Sequence, residues 1–353
     1  MNLHLPLSLA FVLATSLVTT ASAANTLYVG VYNQNQILRY DASGNPINPT
    51  PWIGTGSTAS PTALKGEGIA VGTGFPTSVP NPIFIANLSA GTIEIADANA
   101  LTSANPITNS AFISGLSNAA NIALSNDGHS LYVAQETGNL ISKYDAVTGT
   151  LLASASFTGA HDVVIGADNS VYVTAYGSSQ PASQGIVKFN ANLDVGSKTQ
   201  FVALNNNGLD HATGMTFDAN GNLWVANVKT PIGTTASTSN FVSEYDASGN
   251  YIRTVQSNGN RLLNVFGLSL GDDDNIYAAS FSGHQITKID TTTFGTSTFI
   301  NLPNNYQPKY ATWGSDSVAY SPVPEPRDYA LILLGGAGFL MVVRSFRRFQ
   351  AAA

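Results

Sequence analysis

The chain has 353 residues, a formal net charge of −7, only 10% charged residues and no cysteine. Without a basic face to neutralise phosphates, nucleic-acid binding is excluded, and without thiols so are disulfides and cysteine chemistry. The abundant Gly, Asn, Ser and Thr suit an exported β-protein with many tight turns better than a cytosolic enzyme.

Taken in order, the chain opens on an apolar stretch from Leu5 to Val18 followed by Ala21-Ser22-Ala23. A short apolar run ending in a small-x-small site reads as a signal peptide over 1–23, cut by signal peptidase to leave Ala24 first. The segment before the run departs from the usual pattern, since it holds His4 but no Lys or Arg.

From Leu27 onward a unit repeats. A short strand leads into a turn rich in Asp, Asn and Gly, then a strand of the Leu-Tyr-Val-Ala type. A third strand ends near Tyr-Asp, and a looser fourth closes the unit. One copy is Asn121 to Leu124, Asn126-Asp127-Gly128, Leu131 to Ala134 and Ile141 to Asp145. Another is Gly214 to Phe217, Asn220-Gly221-Asn222, Leu223 to Ala226 and Val242 to Asp246. The second strands start at Leu27, Ile83, Leu131, Val171, Leu223 and Ile276, about forty to fifty-six residues apart. Alternating apolar and polar positions with β-branched and aromatic residues are the strand signature, and Asp-Gly and Asn-Gly turns favour hairpins.

Short antiparallel strands in units of four, recurring at this period, predict an all-β fold over 24–320: a β-propeller of six four-stranded blades. The first unit lacks its inner strand, and Tyr310 to Gly314 forms an orphan inner strand that completes it and closes the ring. Ser317 to Tyr320 leaves a seventh blade open. Two β-sandwich domains would not explain the repeat. This blade pattern resembles the NHL and YVTN-type propellers and, more distantly, gluconolactonase-like propellers. The resemblance implies the fold and says little of function.

Residues just before and at the start of each inner strand crowd one mouth of a propeller channel. Aligning the copies places Gly68, Asn121, Asp162, Gly214, Gly267 and Tyr310 together, preceded by Glu67, Ala120, His161, Thr213, Phe266 and Lys309. His211 lies two residues further upstream in its copy. Glu67, Asn121 and Lys309 are therefore candidate ligand-binding residues. His161 or His211, with Asp162, could act as a general base. Gluconolactonase-like propellers hold a divalent metal at this mouth, and the resemblance implies Glu67, Asn121 and Asp162 as its ligands, an oxygen set that suits Ca²⁺. The copies at Gly214 and Gly267 supply no ligand. The structural alternative is that these groups satisfy backbone and water in a wet channel. No other cofactor is implied.

Asp272-Asp273-Asp274-Asn275 invites a calcium reading but occupies the hairpin position of the other copies, so a turn is expected. No Gly-rich phosphate loop and no Gly-x-Ser-x-Gly elbow is present. Trp52, Trp224 and Trp313 could stack on sugars, and more often such residues fill the space between blades.

The last segment, 321–353, has three parts in strict order: Val323-Pro324-Glu325-Pro326, the uncharged run Tyr329 to Val343, and the basic cluster Arg344, Arg347 and Arg348. Fifteen helical residues cover roughly 22 Å, short of the ~30 Å hydrocarbon core, and span it with arginine snorkelling and local thinning. The arginines stay cytoplasmic, which places the preceding chain outside the inner membrane. This order resembles the PEP-CTERM sorting signal of Gram-negative bacteria. It implies one transmembrane helix, a transient stay in the inner membrane, and recognition by an exosortase-type processing enzyme. Arg327-Asp328 departs from the small polar residues usual after the motif. The whole reads as an exported, surface-sorted propeller that binds or builds the envelope or its extracellular polysaccharide, the matrix of a biofilm. The competing expectation is a metal-dependent lactonase-like or lyase-like enzyme.

Overall fold

Leu27–Val31 (β1) reads Leu-Tyr-Val-Gly-Val and is fully buried, because both faces of a middle strand meet neighbouring sheets. The computed structural model in which it lies describes residues 26–47, 51–54, 66–100, 106–175, 185–204, 209, 211–228, 240–256, 261–314 and 318–319. The expected signal peptide and sorting segment lie outside them. No helix among the described residues is long and apolar enough to cross a membrane.

Six antiparallel sheets follow one another. The first joins β1 to β2 (Gln36–Tyr40) and to β23 (Pro308–Trp313) from the far end of the chain. The second holds β3 (Gly66–Thr73), β4 (Pro82–Asn87), β5 (Thr92–Asp97) and β6 (Ile107–Ile113). The third holds β7 (Ala119–Leu124), β8 (Ser130–Gln135), β9 (Leu140–Asp145) and β10 (Leu151–Ser156). The fourth holds β11 (Ala160–Ile165), β12 (Val171–Ala175), β13 (Ile186–Phe189) and β14 (Thr199–Val202). The fifth holds β15 (Ala212–Phe217), β16 (Leu223–Asn227), β17 (Phe241–Tyr245) and β18 (Tyr251–Gln256). The sixth holds β19 (Val265–Leu270), β20 (Ile276–Ser280), β21 (Gln285–Ile289) and β22 (Thr296–Asn301).

The innermost strands β3, β7, β11, β15, β19 and β23 each touch the next, and β23 touches β3, so the ring closes. The chain is a six-bladed β-propeller. Closure runs through the expected orphan strand, with Leu27 opposite Trp313 and Gly30 opposite Tyr310. It ties the two ends of the domain and removes a sheet edge. Blade 1 gains a fourth layer where Ile37 bridges Ile53. Val318–Ala319 (β24) does not start a seventh blade, because it pairs in parallel with the end of β3 at Gly72 and Thr73.

Apolar residues cluster between successive blades, one cluster at each of the six junctions. The tryptophans act there as filling. Trp52 lies between blades 1 and 2, Trp224 between 5 and 6, and Trp313 between 6 and 1. Asp272 to Asn275 forms the β19–β20 turn, closed by Gly271 N donating to Asn275 O at 2.8 Å, with Asp274 at φ 57°.

Candidate functional site

Every inner strand carries a register shift at its start. Ala119 pairs with Gln135 but Asn121 pairs with Ala134, which leaves Ala120 as an extra residue. Phe266 and Lys309 are extra in the same way in their blades. In blades 2, 4 and 5 the pairs Glu67-Gly68, His161-Asp162 and Thr213-Gly214 each oppose one residue of the partner strand. A bulge bends the strand and re-aims the side chain next to it. Six bulges at one level therefore gather an outer ring at the channel mouth.

In that ring Lys309 Nζ lies 2.7 Å from Oε1 and 2.6 Å from Oε2 of Glu67, whose residue is wholly buried. The ammonium also sits 4.9 Å from the Tyr32 ring centroid and 5.2 Å from that of Phe266. His161 donates from Nδ1 to Thr213 O at 3.0 Å, which fixes the proton on that nitrogen. Its ring stacks on Phe266 at 5.9 Å, and the Tyr310 hydroxyl, from the opposite blade, lies 3.3 Å from Nδ1. Burial, and then the Lys309 charge, push the His161 pKa down to about 3. Burial raises the carboxyl of Glu136, beside the same ammonium, and Lys309 pulls it partly back.

One residue inward, a second ring fills the channel. Asn121 donates from Nδ2 to Asp162 Oδ1. Asp162 also accepts from Val163 N at 2.9 Å and, across the next blade, from Met215 N. Burial pushes Asp162 up to about 7 against these three bonds. Tyr310 is raised well above its ordinary 10 by burial and then by Asp162, Glu67 and Glu136. The other three members are glycines because nothing larger fits. A Cβ on Gly68 would sit 2.0 Å from Asn121 Oδ1, one on Gly214 2.2 Å from Phe266 O, and one on Gly267 2.7 Å from the Tyr310 ring.

The structure thus brings Glu67, Lys309, His161, Asn121, Asp162 and Tyr310 to one end of the channel, as the alignment of copies predicts. It sorts them into two layers. Glu67 belongs with Lys309 in the outer ring, and Asn121 with Asp162 in the inner one. No group of three or more His, Asp or Glu side chains among the described residues is placed to hold a metal ion. His211 lies one residue before β15, at φ 43°, and accepts through its carbonyl from Val228 N at 3.3 Å. The sorting residues Val323, Pro324, Glu325, Pro326, Arg344, Arg347 and Arg348 lie outside the described residues. Tyr32 and Glu136 escape the sequence reading, although a signal exists. Each follows a second strand, which in antiparallel order ends at the mouth where the inner strand begins.

No protein-family model and no curated protein sequence matches the chain. Among solved structures it is similar to the propeller of a nidogen–laminin complex, at 14% identity and TM-score 0.59, over 81% of this chain and 97% of that one. It is also similar to an inactive virginiamycin B lyase from Staphylococcus aureus with quinupristin, at 13% identity and TM-score 0.52, over 81% and 88%. A gluconolactonase from Xanthomonas campestris matches at 12% identity and TM-score 0.50, over 69% and 78%. At such identities the likeness concerns the fold. The same architecture serves a nidogen–laminin complex in one case and enzymes in the others.

Proposed function

We propose that this propeller is an exported binding protein of the cell envelope or its extracellular polysaccharide. Signal peptidase removes 1–23, the C-terminal helix holds the chain transiently in the inner membrane, and an exosortase-type enzyme recognises Pro324-Glu325-Pro326. The observation that carries the binding reading is the pairing at the mouth. Lys309 and Glu67 neutralise each other, and Asn121 and Asp162 bond to each other, so these groups hold the ring together. Support for sorting comes from the order of motif, apolar run and arginines. Replacing Pro324, Glu325 and Pro326 by alanine is expected to trap the full-length protein in the inner membrane. Mass spectrometry of the C-terminus reads the outcome, and processing identical to wild type overturns the sorting role. For binding, the wild-type chain is expected to co-sediment with the producing cell's exopolysaccharide, and its failure to do so overturns the matrix role.

A second reading, a metal-dependent lactonase-like or lyase-like enzyme, draws on the convergence of His161, Asp162, Glu67, Glu136 and Lys309 at one mouth. It expects a rise in Tm on adding Ca²⁺ or Zn²⁺. An unchanged Tm overturns the metal version.

A further inference from the structure

The channel continues past the inner ring as a cavity of about 280 Å³ whose floor includes Asn121 and Tyr310. It lies toward the ends of the inner strands, the opposite end from the bulged mouth. Its lining follows from strand alternation. One and three residues after the inner ring, side chains such as Ile122 and Leu124 pack into the preceding blade. The residues two along, Ala70, Ala123, Val164, Thr216, Ser269 and Thr312, line the cavity together with apolar neighbours such as Ile69, Met215 and Leu268. Ala70, Ala123 and Val164 also pack toward the following blade.

These six are not mixed around the ring. Blades 2, 3 and 4 supply Ala70, Ala123 and Val164, and blades 5, 6 and 1 supply Thr216, Ser269 and Thr312. At this level one continuous half is methyl, and the other half carries hydroxyls beside apolar neighbours such as Met215 and Leu268. Ser269 Oγ already accepts from Trp313 N at 3.3 Å, whereas Thr312 donates to Ile69 O at 3.0 Å, which leaves its acceptor positions to a ligand, and Thr216 has only a 3.5 Å contact to Phe217 O. No charged side chain contributes to the lining.

We propose that this cavity binds a single neutral sugar ring. A charged ligand would lose its water and find no counter-charge. A purely aliphatic one would cover the Thr216 hydroxyl and the acceptor positions of Thr312 without bonding them. A sugar ring, with a C–H face and a hydroxylated edge, matches both halves. The volume lies just below the ligand-pocket range of about 300–1,000 Å³, and the floor is closed, so one ring fits and an oligomer enters only by its end. The inference deepens the polysaccharide-binding reading and rests on it for the source of the sugar.

Calorimetry on the full chain in detergent, with D-glucose, D-galactose, their methyl glycosides, D-glucuronate and hexanol as probes, tests it. At least one neutral sugar or glycoside is expected to bind at millimolar concentration, and glucuronate and hexanol are not. Thr216→Val, at a half-exposed position, is expected to weaken binding about tenfold at unchanged Tm, and Ala123→Leu, which fills the methyl half, to weaken it about tenfold with a modest loss of Tm. Binding of the glycoside indicates a chain end, and binding of the reducing sugar alone a free monosaccharide. Either supports the site. No binding, equal binding of glucuronate or hexanol, or a response unaltered in both variants overturns it. Co-sedimentation with exopolysaccharide separates the two proposals. Polymer binding that survives Ala123→Leu leaves the matrix role standing and the cavity without one. Monosaccharide binding without polymer binding does the reverse.

Discussion

At one end of the channel the inner strands bulge and deliver Glu67, His161, Thr213, Phe266 and Lys309 into a buried, mutually bonded ring. Three residues further along the same strands, where pairing is regular, the wall is Ala70, Ala123, Val164, Thr216, Ser269 and Thr312 around open space. The strands and the six-fold geometry are shared, and only the bulges and the residue types differ. One extra residue per strand turns a channel into a plugged end and an open end. Polar groups accumulate at the plugged end because bulge residues have no ladder partner and must satisfy themselves across the ring.

The largest effect is expected where charge is buried deepest. Lys309→Ala leaves the Glu67 carboxylate enclosed without its counter-ion and should cost about 3–5 kcal/mol of stability by denaturant unfolding. Replacing both partners, Glu67→Leu with Lys309→Met, should recover most of that loss, because the cost lies in the unpaired charge. If the double variant is as unstable as the single one, the pair is not what holds the ring. At the open end Thr216→Val should stay within about 0.5 kcal/mol, as surface substitutions do.

Next comes the inner ring's dependence on glycine. Gly214→Ala drives a methyl against the Phe266 carbonyl, which is backbone and cannot swing away. A loss of about 1–3 kcal/mol is expected, against a small effect for Ala123→Gly across the wall of the open cavity. Equal effects at the two ends would mean that the inner ring is not tightly packed.

Much of this was legible in advance. The second strands begin at or one residue before Leu27, Ile83, Leu131, Val171, Leu223 and Ile276. The aligned ring of Gly68, Asn121, Asp162, Gly214, Gly267 and Tyr310 also keeps register, since Ile69, Ile122, Val163, Met215, Leu268 and Ala311 each face the third residue of those strand copies. Pattern carries this because period-two alternation and turn residues are local. The bulges are not local. A single added residue leaves the hydrophobic pattern on either side intact, so nothing in the string shows that Glu67 meets Lys309 across 242 positions rather than joining Asn121 and Asp162. The hydroxyl and methyl halves of the cavity likewise emerge only once blade order closes the ring.

The third effect separates His161 from its neighbour by pH. His161 sits at about 3 instead of its ordinary 6.5, so between those values the unfolded chain binds a proton that the folded one refuses, and stability rises with pH. Asp162 is raised from 3.8 to about 7, so the folded chain keeps a proton that the unfolded one releases, and stability falls with pH over that range. Where the ranges overlap the two slopes oppose. Asp162→Asn should unmask a rise, and His161→Phe a fall, each at most about 1.4 kcal/mol per pH unit. Unfolding midpoints measured from pH 4 to 7 check it, and profiles of the same slope in both variants contradict it.

At the plugged end the smallest effect is expected from Tyr310→Phe, and it bears on what closes the channel. The Tyr310 hydroxyl lies 3.3 Å from His161 Nδ1, whose proton already goes to Thr213 O at 3.0 Å. The hydroxyl therefore makes a long, shared contact, and its loss should cost no more than about 1 kcal/mol. The phenyl ring keeps its place between Gly267 and the His161 ring, so the plug should hold and the cavity floor should stay closed. If instead Tyr310→Phe costs as much as Gly214→Ala, the hydroxyl and not the ring secures the floor, and the plugged end depends on a hydrogen bond where the geometry assigns it to packing.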